Sequence, residues 1–304
     1  MKKTTMKDIA KAANVSVATV SYVLNNVSNQ TIPDDTKCRI IETANKLNYI
    51  PDLAARSLVK QKTGLIGILV NRTENEGFWR RHSNLELIDQ LENYFTNKGY
   101  HVVLSSLDAT NPNINIIAER KLDGVFLIDV KNEQFHRISN QFKAGVPLIV
   151  IDSFIDDPLF YKVVYDYEDA ITKAVKIHSQ DCHFVIEAFN NQETIEKIKV
   201  FSGVADNSIH VMEHEQGLVR FLNQHPNKSV IVINELIGAI VSKYVNPSQL
   251  VVICTANCPA ILPVQTTRID FGELKSSAAF HLMMQLLSGQ RDIPHDKYIR
   301  VKAE

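Results

Sequence analysis

The sequence has few cysteines and no long apolar segment. Its 304 residues include 4 Cys, too few and too scattered for a disulfide framework, which favours a reducing compartment. The longest aliphatic runs, such as residues 230–233, are far too short to span a bilayer. No apolar run follows the basic start, as a secretory signal would require. We therefore expect a cytoplasmic protein with no membrane partner.

The sequence motifs of common enzymes are also missing. The first apolar strand begins Gly64-Leu65-Ile66-Gly67 and does not continue as G-x-G-x-x-G, and neither a G-x-S-x-G elbow nor a P-loop occurs. Two His pairs and one Cys pair are spaced like metal ligands, but none has a third ligand nearby. Surface histidines and small buried thiols are the better interpretation of these pairs: His178 with His183, His210 with His214, and Cys254 with Cys258. We expect no enzyme, no cofactor and no metal.

Charge is divided unevenly along the chain. A chain of 304 residues fits two or three domains, and its net charge is −1. Residues 1–62 hold ten Lys and Arg against five Asp and Glu, whereas the remainder holds 23 against 29. A small basic segment attached to an acidic body is the distribution expected of a protein that contacts nucleic acid with one end.

The basic segment opens with a pattern of two short helices. Thr5 can cap the first helix, and Asn14 suits the turn before a second helix that Ser16 can cap. In the second helix Val20, Val23 and Leu24 share one face, while Ala18, Ser21, Tyr22 and Asn25 share the other. Small, hydroxylic side chains with one aromatic suit the major groove of DNA. An ordinary helical hairpin with a polar surface gives the same pattern, so both interpretations stay open from these helices alone.

Further blocks make the pattern specific. They are Met6-Lys7-Asp8-Ile9-Ala10, Val15-Ser16, Thr19-Val20-Ser21, Val23-Leu24-Asn25, Leu47-Asn48-Tyr49-Ile50-Pro51 and Ala54-Ala55-Arg56-Ser57-Leu58. In these residues and their order the N-terminus closely resembles the LacI/GalR transcription regulators. The resemblance implies a helix-turn-helix head over 1–50, a hinge helix over 51–62, and a two-lobed core for effector binding and dimerisation over 63–304.

The resemblance also implies which residues contact DNA. In the head they are Thr5, Ser16, Val17, Ala18, Thr19, Ser21, Tyr22 and Asn25, and in the hinge Ala55 and Leu58. Tyr22 stands at a base-reading position where Arg or His is frequent in the family, so we expect an unusual half-site. The matching hinge helix becomes ordered when two protomers meet on the operator, and its Leu, here Leu58, wedges into the minor groove.

The rest of the chain alternates apolar strands with amphipathic helices. Strands are predicted near residues 64–70, 101–105, 124–128, 148–151, 184–188, 229–233, 250–253 and 298–301, and helices near 84–98, 169–178, 217–223, 236–245 and 271–287, with one more ending near 145. This order predicts an α/β core of two doubly wound parallel-sheet lobes, like the periplasmic binding proteins, behind an all-α helix-turn-helix head.

The resemblance places an effector site between the lobes. Asp152, Lys197, Asn234 and Thr255 match its polar positions, and Glu235 replaces the usual acidic neighbour of Asn234. Lys197 stands where Arg is common, and Lys lacks the planar fork of a guanidinium group. The loop at residues 254–258 lacks the usual acids. A weakened sugar site, a different ligand (for example an anionic one bound through Lys197), or no small ligand are all left open.

Taken together, these features favour a homodimeric repressor that binds double-stranded operator DNA at a pseudo-palindrome and responds to a sugar or another small metabolite. The alternative is a cytoplasmic metabolite-binding protein whose effector response is degenerate or absent. A solute receptor for transport shares the core architecture, but the DNA-binding head and the missing signal argue against it.

Overall fold

The computed structural model describes residues 4–24, 30–47, 49, 62–73, 76–108, 115–140, 146–178, 182–224, 226, 228–271, 274–290 and 293–304. The contacts between Cα atoms divide the chain into a first unit, Met1–Thr63, and a second unit, Gly64–Glu304. No helix among the described residues is both long enough and apolar enough to cross a membrane.

Among its described residues, the first unit has three helices: α1 (Met6–Ala13), α2 (Val17–Leu24) and α3 (Asp34–Lys46). Their apolar faces meet in one small core made of Ile9, Ala10, Ala13, Val20, Val23, Ile40 and Ala44. Pro33 precedes α3, and Asp34 and Asp35 occupy its first turn, where the helix dipole favours negative charge. The hydroxyl of Thr4 donates a hydrogen bond of 2.9 Å to the carbonyl of Leu47 and ties the two ends of the unit together.

The second unit contains two parallel sheets. The strands in chain order are β1 (Leu65–Arg72), β2 (His101–Asp108), β3 (Gly124–Ile128), β4 (Leu148–Ile151), β5 (Tyr161–Tyr165), β6 (Cys182–Glu187), β7 (Ile209–Met212), β8 (Ser229–Ile233), β9 (Leu250–Ile253), β10 (Thr267–Ile269) and β11 (Tyr298–Val301). The first sheet has the strand order β11-β5-β4-β3-β1-β2, and the second has the order β10-β9-β8-β6-β7. Every strand pair in both sheets is parallel.

Helices connect these strands. They are α4 (Phe78–Thr96), α5 (Asn115–Arg120), α6 (Asn132–Ser139), α7 (Tyr167–His178), α8 (Gln192–Ser202), α9 (Glu215–Gln224), α10 (Glu235–Val241) and α11 (Lys275–Ser288), with short 3-10 turns at Asp206–Ser208, Pro247–Gln249 and Pro259–Ile261. We call the first sheet with its helices the first lobe and the second sheet with its helices the second lobe. The chain enters the second lobe after β5 and returns after β10, where α11 packs against α4.

The predicted fold class, a helical head before two parallel-sheet lobes, is confirmed. Several bounds were wrong: α4 begins six residues before the predicted start at 84, α11 begins at Lys275 rather than at 271, and β2 extends to Asp108 rather than to 105. The short strands β5, β7 and β10 and the helices α5 and α8 were missed. The end of α4 is followed by Gly99, whose φ of 79° lies in the left-handed region that favours glycine.

Candidate functional site

The first candidate site is the surface of α2 in the helical unit. Asn14, at a φ of 52°, ends α1 in the left-handed conformation. Two residues later, the hydroxyl of Ser16 accepts a hydrogen bond of 3.0 Å from the backbone N–H of Thr19 and so caps α2. At the start of α1, the carboxylate of Asp8 accepts hydrogen bonds from the backbone N–H of Thr5, at 2.8 Å, and from its hydroxyl, at 2.6 Å. Thr5 is therefore the N-cap residue of α1, in a capping box with Asp8, and Ser16 caps α2.

The two faces of α2 separate as the sequence predicted. Val20 and Val23 are buried in the three-helix core, and Leu24 packs beside them. On the other side Val17 is 42% exposed and Tyr22 37% exposed, and Ala18 is exposed as well. Thr19 and Ser21 are half-buried. The exposed face is therefore free of charge and carries methyl groups, hydroxyl groups and one phenol, which are the groups that read base edges.

Three residues assigned to DNA contact, Asn25, Ala55 and Leu58, lie outside the described residues. The assignment of the other DNA contacts, and the domain bounds at 50 and 62, remain predictions.

The second candidate site is the cleft between the two lobes of the second unit. Three residues that directly follow parallel strands have left-handed backbone conformations: Asp129 after β3, Asp152 after β4 and Asn234 after β8, with φ values of 54°, 57° and 88°. Non-glycine residues adopt these conformations at a cost, and such strain clusters at functional sites. The carboxyl ends of parallel strands are also where ligands bind in open α/β folds.

Arg80 lies at the centre of this cleft. Its Nε is 3.0 Å from Asp129 Oδ2, and its Nη1 is 4.0 Å from Asp152 Oδ2 and 3.6 Å from Glu187 Oε2. The guanidinium carbon lies 4.7 Å from the centre of the Phe189 ring. Asp129 and Asp152 belong to the first lobe and Glu187 to the second, so one buried side chain holds carboxylates of both lobes.

Burial sets the protonation of this cluster. Burial raises the pKa of Glu187 to about 7, although the nearby guanidinium group of Arg80 opposes the shift. Burial also raises the pKa of Asp129, again against Arg80. Burial alone would lower the pKa of Arg80, but the three carboxylates outweigh it and raise this pKa, so the guanidinium group stays charged.

Asp152, predicted to accept hydrogen bonds from an effector, is already engaged. The ammonium group of Lys275, at the start of α11, lies 2.6 Å from each of its carboxylate oxygens. The same ammonium group lies 4.1 Å from the centre of the Tyr165 ring. Lys275 and Asp152 therefore form a second buried ion pair beside the Arg80 cluster.

Asparagine side chains bridge the lobes around these ions. The amide nitrogen of Asn190, after β6, donates to Asp129 Oδ2 at 2.8 Å and to the carbonyl of Asn71 at 3.2 Å. Asn191 donates to the carbonyls of Val130 and Phe154 at 3.0 and 3.2 Å. Asn234, the second predicted effector residue, donates to Ser83 Oγ at 3.2 Å. These bonds join the carboxyl ends of the two sheets directly.

Glu235 organises the loop that follows β9. Its carboxylate accepts hydrogen bonds from three backbone N–H groups: from Thr255 at 2.7 Å, from Ala256 at 2.9 Å and from Cys258 at 2.7 Å. This loop forms one wall of a small pocket. The pocket is lined mainly by polar side chains: Ser83, Glu86, Gln90, Thr255, Asn257 and Lys275.

The structure brings Asp152, Asn234 and Thr255 to the cleft and places Lys197 apart from them. Lys197 Nζ lies 3.7 Å from Glu193 Oε1 on its own helix and 5.4 Å from the centre of the Phe154 ring, with the side chain 40% exposed. Its role in effector binding remains a prediction, as do those of the other three residues. Sequence reasoning missed Arg80, Asp129, Glu187 and Lys275. Only Asp129 carried a signal, because an acid directly after a buried strand repeats the pattern of Asp152.

Comparison with solved structures defines the class of fold. The Lac repressor dimer bound to operator and the anti-inducer ONPF superposes with a TM-score of 0.74 at 16% identity, covering 100% of this chain and 97% of that one. The transcriptional regulator CelR in complex with cellobiose superposes with a TM-score of 0.57 at 14% identity, covering 99% of this chain and 98% of that one. The chain therefore has the fold of these regulators.

Sequence comparison then shows which proteins the chain resembles. Residues 5–52 match the profile of "Bacterial regulatory proteins, lacI family". The HTH-type transcriptional repressor PurR of Aliivibrio salmonicida is 28% identical over 194 residues, which cover 62% of this chain and 55% of PurR. The probable HTH-type transcriptional repressor ExuR of Bacillus subtilis is 31% identical over 182 residues, which cover 59% of this chain and 52% of ExuR. The matches span about half the length of these curated relatives. The resemblance to the LacI/GalR regulators is confirmed, and the head is a lacI-family helix-turn-helix domain.

Proposed function

We propose that this protein is a transcription repressor that binds a pseudo-palindromic operator as a homodimer and is modulated by a small ligand in the cleft between its lobes. The observation that carries the proposal is the exposed face of α2, uncharged and capped by Ser16, within a segment that matches the lacI-family profile. The protein acts in the cytoplasm, where its DNA is.

The chemistry of α2 supports base reading. Val17 and Ala18 offer methyl groups to thymine, Tyr22 offers a hydroxyl to base edges, and Ser16, Thr19 and Ser21 serve phosphates. Thr5 lies at the first turn of α1, where backbone N–H groups suit a phosphate. We also assign Asn25, which lies outside the described residues, to base contact. The ten basic residues of the segment supply the attraction to the phosphate backbone that does not depend on base sequence.

Dimerisation follows from the operator geometry. Two recognition helices read half-sites one helical turn apart only if two heads are held by a twofold axis. The Lac repressor, which shares this fold, was solved as a dimer on its operator. In our proposal Ala55 and Leu58, in the hinge segment, enter the minor groove at the dyad, and Leu58 unstacks a base step there.

The pocket beside the Arg80 cluster supports a small polar ligand. Thr255 lines it together with other polar side chains, which suit the hydroxyl groups of a small ligand. Asp152, Asn234 and Lys197 are the other residues that we assign to effector binding. The chemistry of hydroxyl, amide and carboxylate groups suits a sugar or another polar metabolite.

Selection of DNA sequences by the full chain tests the reading role of α2. We expect the wild type to enrich one half-site, and Tyr22→Ala to lose preference at one base position with little change elsewhere. Tyr244→Ala is the matched control, since Tyr244 is a 46% exposed tyrosine of the second unit. Unchanged base preference in Tyr22→Ala would overturn the proposed role of α2.

A second candidate function is a metabolite-binding protein whose effector response is degenerate or absent. The pairing of Asp129, Glu187 and Asp152 with Arg80 and Lys275 favours the degenerate effector response in this candidate, because a ligand would compete with those side chains for the carboxylates. Thermal-shift screening with sugars and sugar phosphates separates the two functions. A metabolite-binding protein responds to ligand without selecting a DNA sequence, whereas a regulator selects a sequence and changes its affinity when ligand is added.

A further inference from the structure

The start of α4 inserts into the opposite lobe. The helix itself belongs to the first lobe, where it packs on α11, β1 and β2. The indole of Trp79, however, lies in the hydrophobic cluster of the second lobe, which also contains Val185, Val252 and Leu262. A side chain of one lobe is therefore part of the core of the other.

Gly77 makes this insertion feasible. A Cβ atom at position 77 would lie 2.3 Å from the ring of Trp79, closer than any real contact, so only glycine allows the indole to fold back over the chain. The residue that follows Trp79 is Arg80. Its position at the junction of the two sheets is thus fixed by an anchored neighbour.

Groups of both lobes contact Arg80, although its Nη2 has no hydrogen-bond partner among the described residues. Asp129 and Asp152 contact it from the first lobe, and Glu187 and the face of Phe189 contact it from the second. This place, between the carboxyl ends of the strands of both sheets, is where a ligand of an open α/β fold is expected. A guanidinium group that is planar and always charged suits carboxylates approaching from several directions.

We call the space around the guanidinium group of Arg80, between Asp129, Asp152 and Glu187, the inner cleft. We propose that the Arg80 side chain occupies this inner cleft in place of a small ligand and holds the two lobes closed. The closed state then needs no effector. A small ligand therefore either binds in the pocket lined by Thr255 and Lys275, which we call the outer pocket, or displaces Arg80 from the inner cleft. Removing the side chain turns the inner cleft into a binding site for free guanidinium compounds. The consequence for DNA binding rests on the proposed function, but closure itself is measured without DNA.

Trp79 is the single tryptophan of the sequence, and its indole is buried in the hydrophobic cluster of the second lobe while its helix belongs to the first lobe, so its fluorescence reports closure. We expect acrylamide to quench wild-type fluorescence weakly and Arg80→Ala fluorescence several-fold more strongly. Millimolar ethylguanidinium should restore the protection in Arg80→Ala with a saturable dose response. Ethylammonium, which has the charge but not the planar fork, should not. Arg81→Ala, an exposed neighbour on the same helix, should behave as the wild type.

Two results would overturn the proposal. One is wild-type quenching of Arg80→Ala, which would mean that Arg80 does not hold the lobes. The other is an Arg80→Ala variant with open lobes whose Trp79 fluorescence ethylguanidinium protects no better than ethylammonium does.

If circular dichroism shows that Arg80→Ala does not fold, Arg80→Lys replaces it, and quenching equal to the wild type would then refute the need for a guanidinium group. A failure to select DNA would instead refute the proposed function and leave these results unaffected.

Discussion

Replacing Glu235 by Gln tests how the loop wall of the cleft is held. In the wild type one carboxylate oxygen accepts from the N–H groups of Thr255 and Ala256, and the other accepts from Cys258. Gln has one acceptor oxygen. If that oxygen keeps the first two bonds, the new NH2 group faces the N–H of Cys258, so a donor meets a donor.

The expected loss in the free energy of unfolding follows from these three hydrogen bonds. A hydrogen bond to a charged group contributes about 1.5–3 kcal/mol, and the two surviving bonds become neutral and weaker. We therefore expect Glu235→Gln to lower the free energy of unfolding by about 3 kcal/mol. Glu235→Ala leaves three N–H groups without their acceptor and should cost more, about 4 kcal/mol or above, since each unpaired buried donor costs about 1–3 kcal/mol.

Urea unfolding of the full chain, followed by far-ultraviolet circular dichroism and Trp79 fluorescence, measures these differences. Glu213→Gln, at an exposed position of the second lobe, is the matched control and should stay within about 0.5 kcal/mol of the wild type. If Glu235→Gln is as stable as Glu213→Gln, the carboxylate does not organise the loop and the reasoning is refuted.

Two further predictions concern the cap of α2 and the buried carboxyl group of Glu187. Ser16→Ala removes the hydroxyl that accepts a hydrogen bond from the backbone N–H of Thr19, and it should destabilise the head by about 1 kcal/mol. We expect faster hydrogen exchange in α2 and weaker binding to all DNA sequences. Unchanged hydrogen exchange in α2 would contradict this prediction. Burial raises the pKa of Glu187 to about 7 from an ordinary value of 4.5, so the folded chain keeps a proton that the unfolded chain releases as pH rises between these values. Glu187 should therefore favour folding at low pH and disfavour it by up to about 3 kcal/mol above pH 7. Urea midpoints at pH 5.5 and 8 should differ more in the wild type than in Glu187→Gln, and equal differences would refute the assignment.

Local patterns in the sequence predicted the helical head well. The caps at Thr5 and Ser16 and the turn at Asn14 depend on neighbouring residues, and the structure forms all three. The long apolar strands were also predictable, because strands of parallel sheets covered on both faces are continuous hydrophobic runs.

The short strands were harder to predict, and β5 shows why. Its sequence includes Lys162, which interrupts the apolar pattern, yet this side chain is buried. The ammonium group donates to the carbonyls of Phe160, at 2.9 Å, and Asp157, and it lies over the ring of Tyr298. Those partners come together only in the folded chain, so no periodicity could reveal them.

The cleft was predictable only in part for the same reason. Asp152 and Asn234 could be placed because each follows a recognisable strand. Arg80 could not, because it lies 49 residues from Asp129 along the chain and further still from Glu187, and nothing local marks it. In sequence it lies before the predicted start of the helix at residue 84, and an isolated cation is normally solvated.

DNA selection with the full chain, repeated over a series of salt concentrations and with pooled sugars and sugar phosphates, tests the central claim most directly. The account predicts enrichment of a pseudo-palindrome with a flexible central step, loss of that enrichment in Leu58→Ala, and an affinity that changes when a ligand is present. Binding that selects no sequence and falls steeply with salt would contradict it, since only contacts to phosphate would then remain.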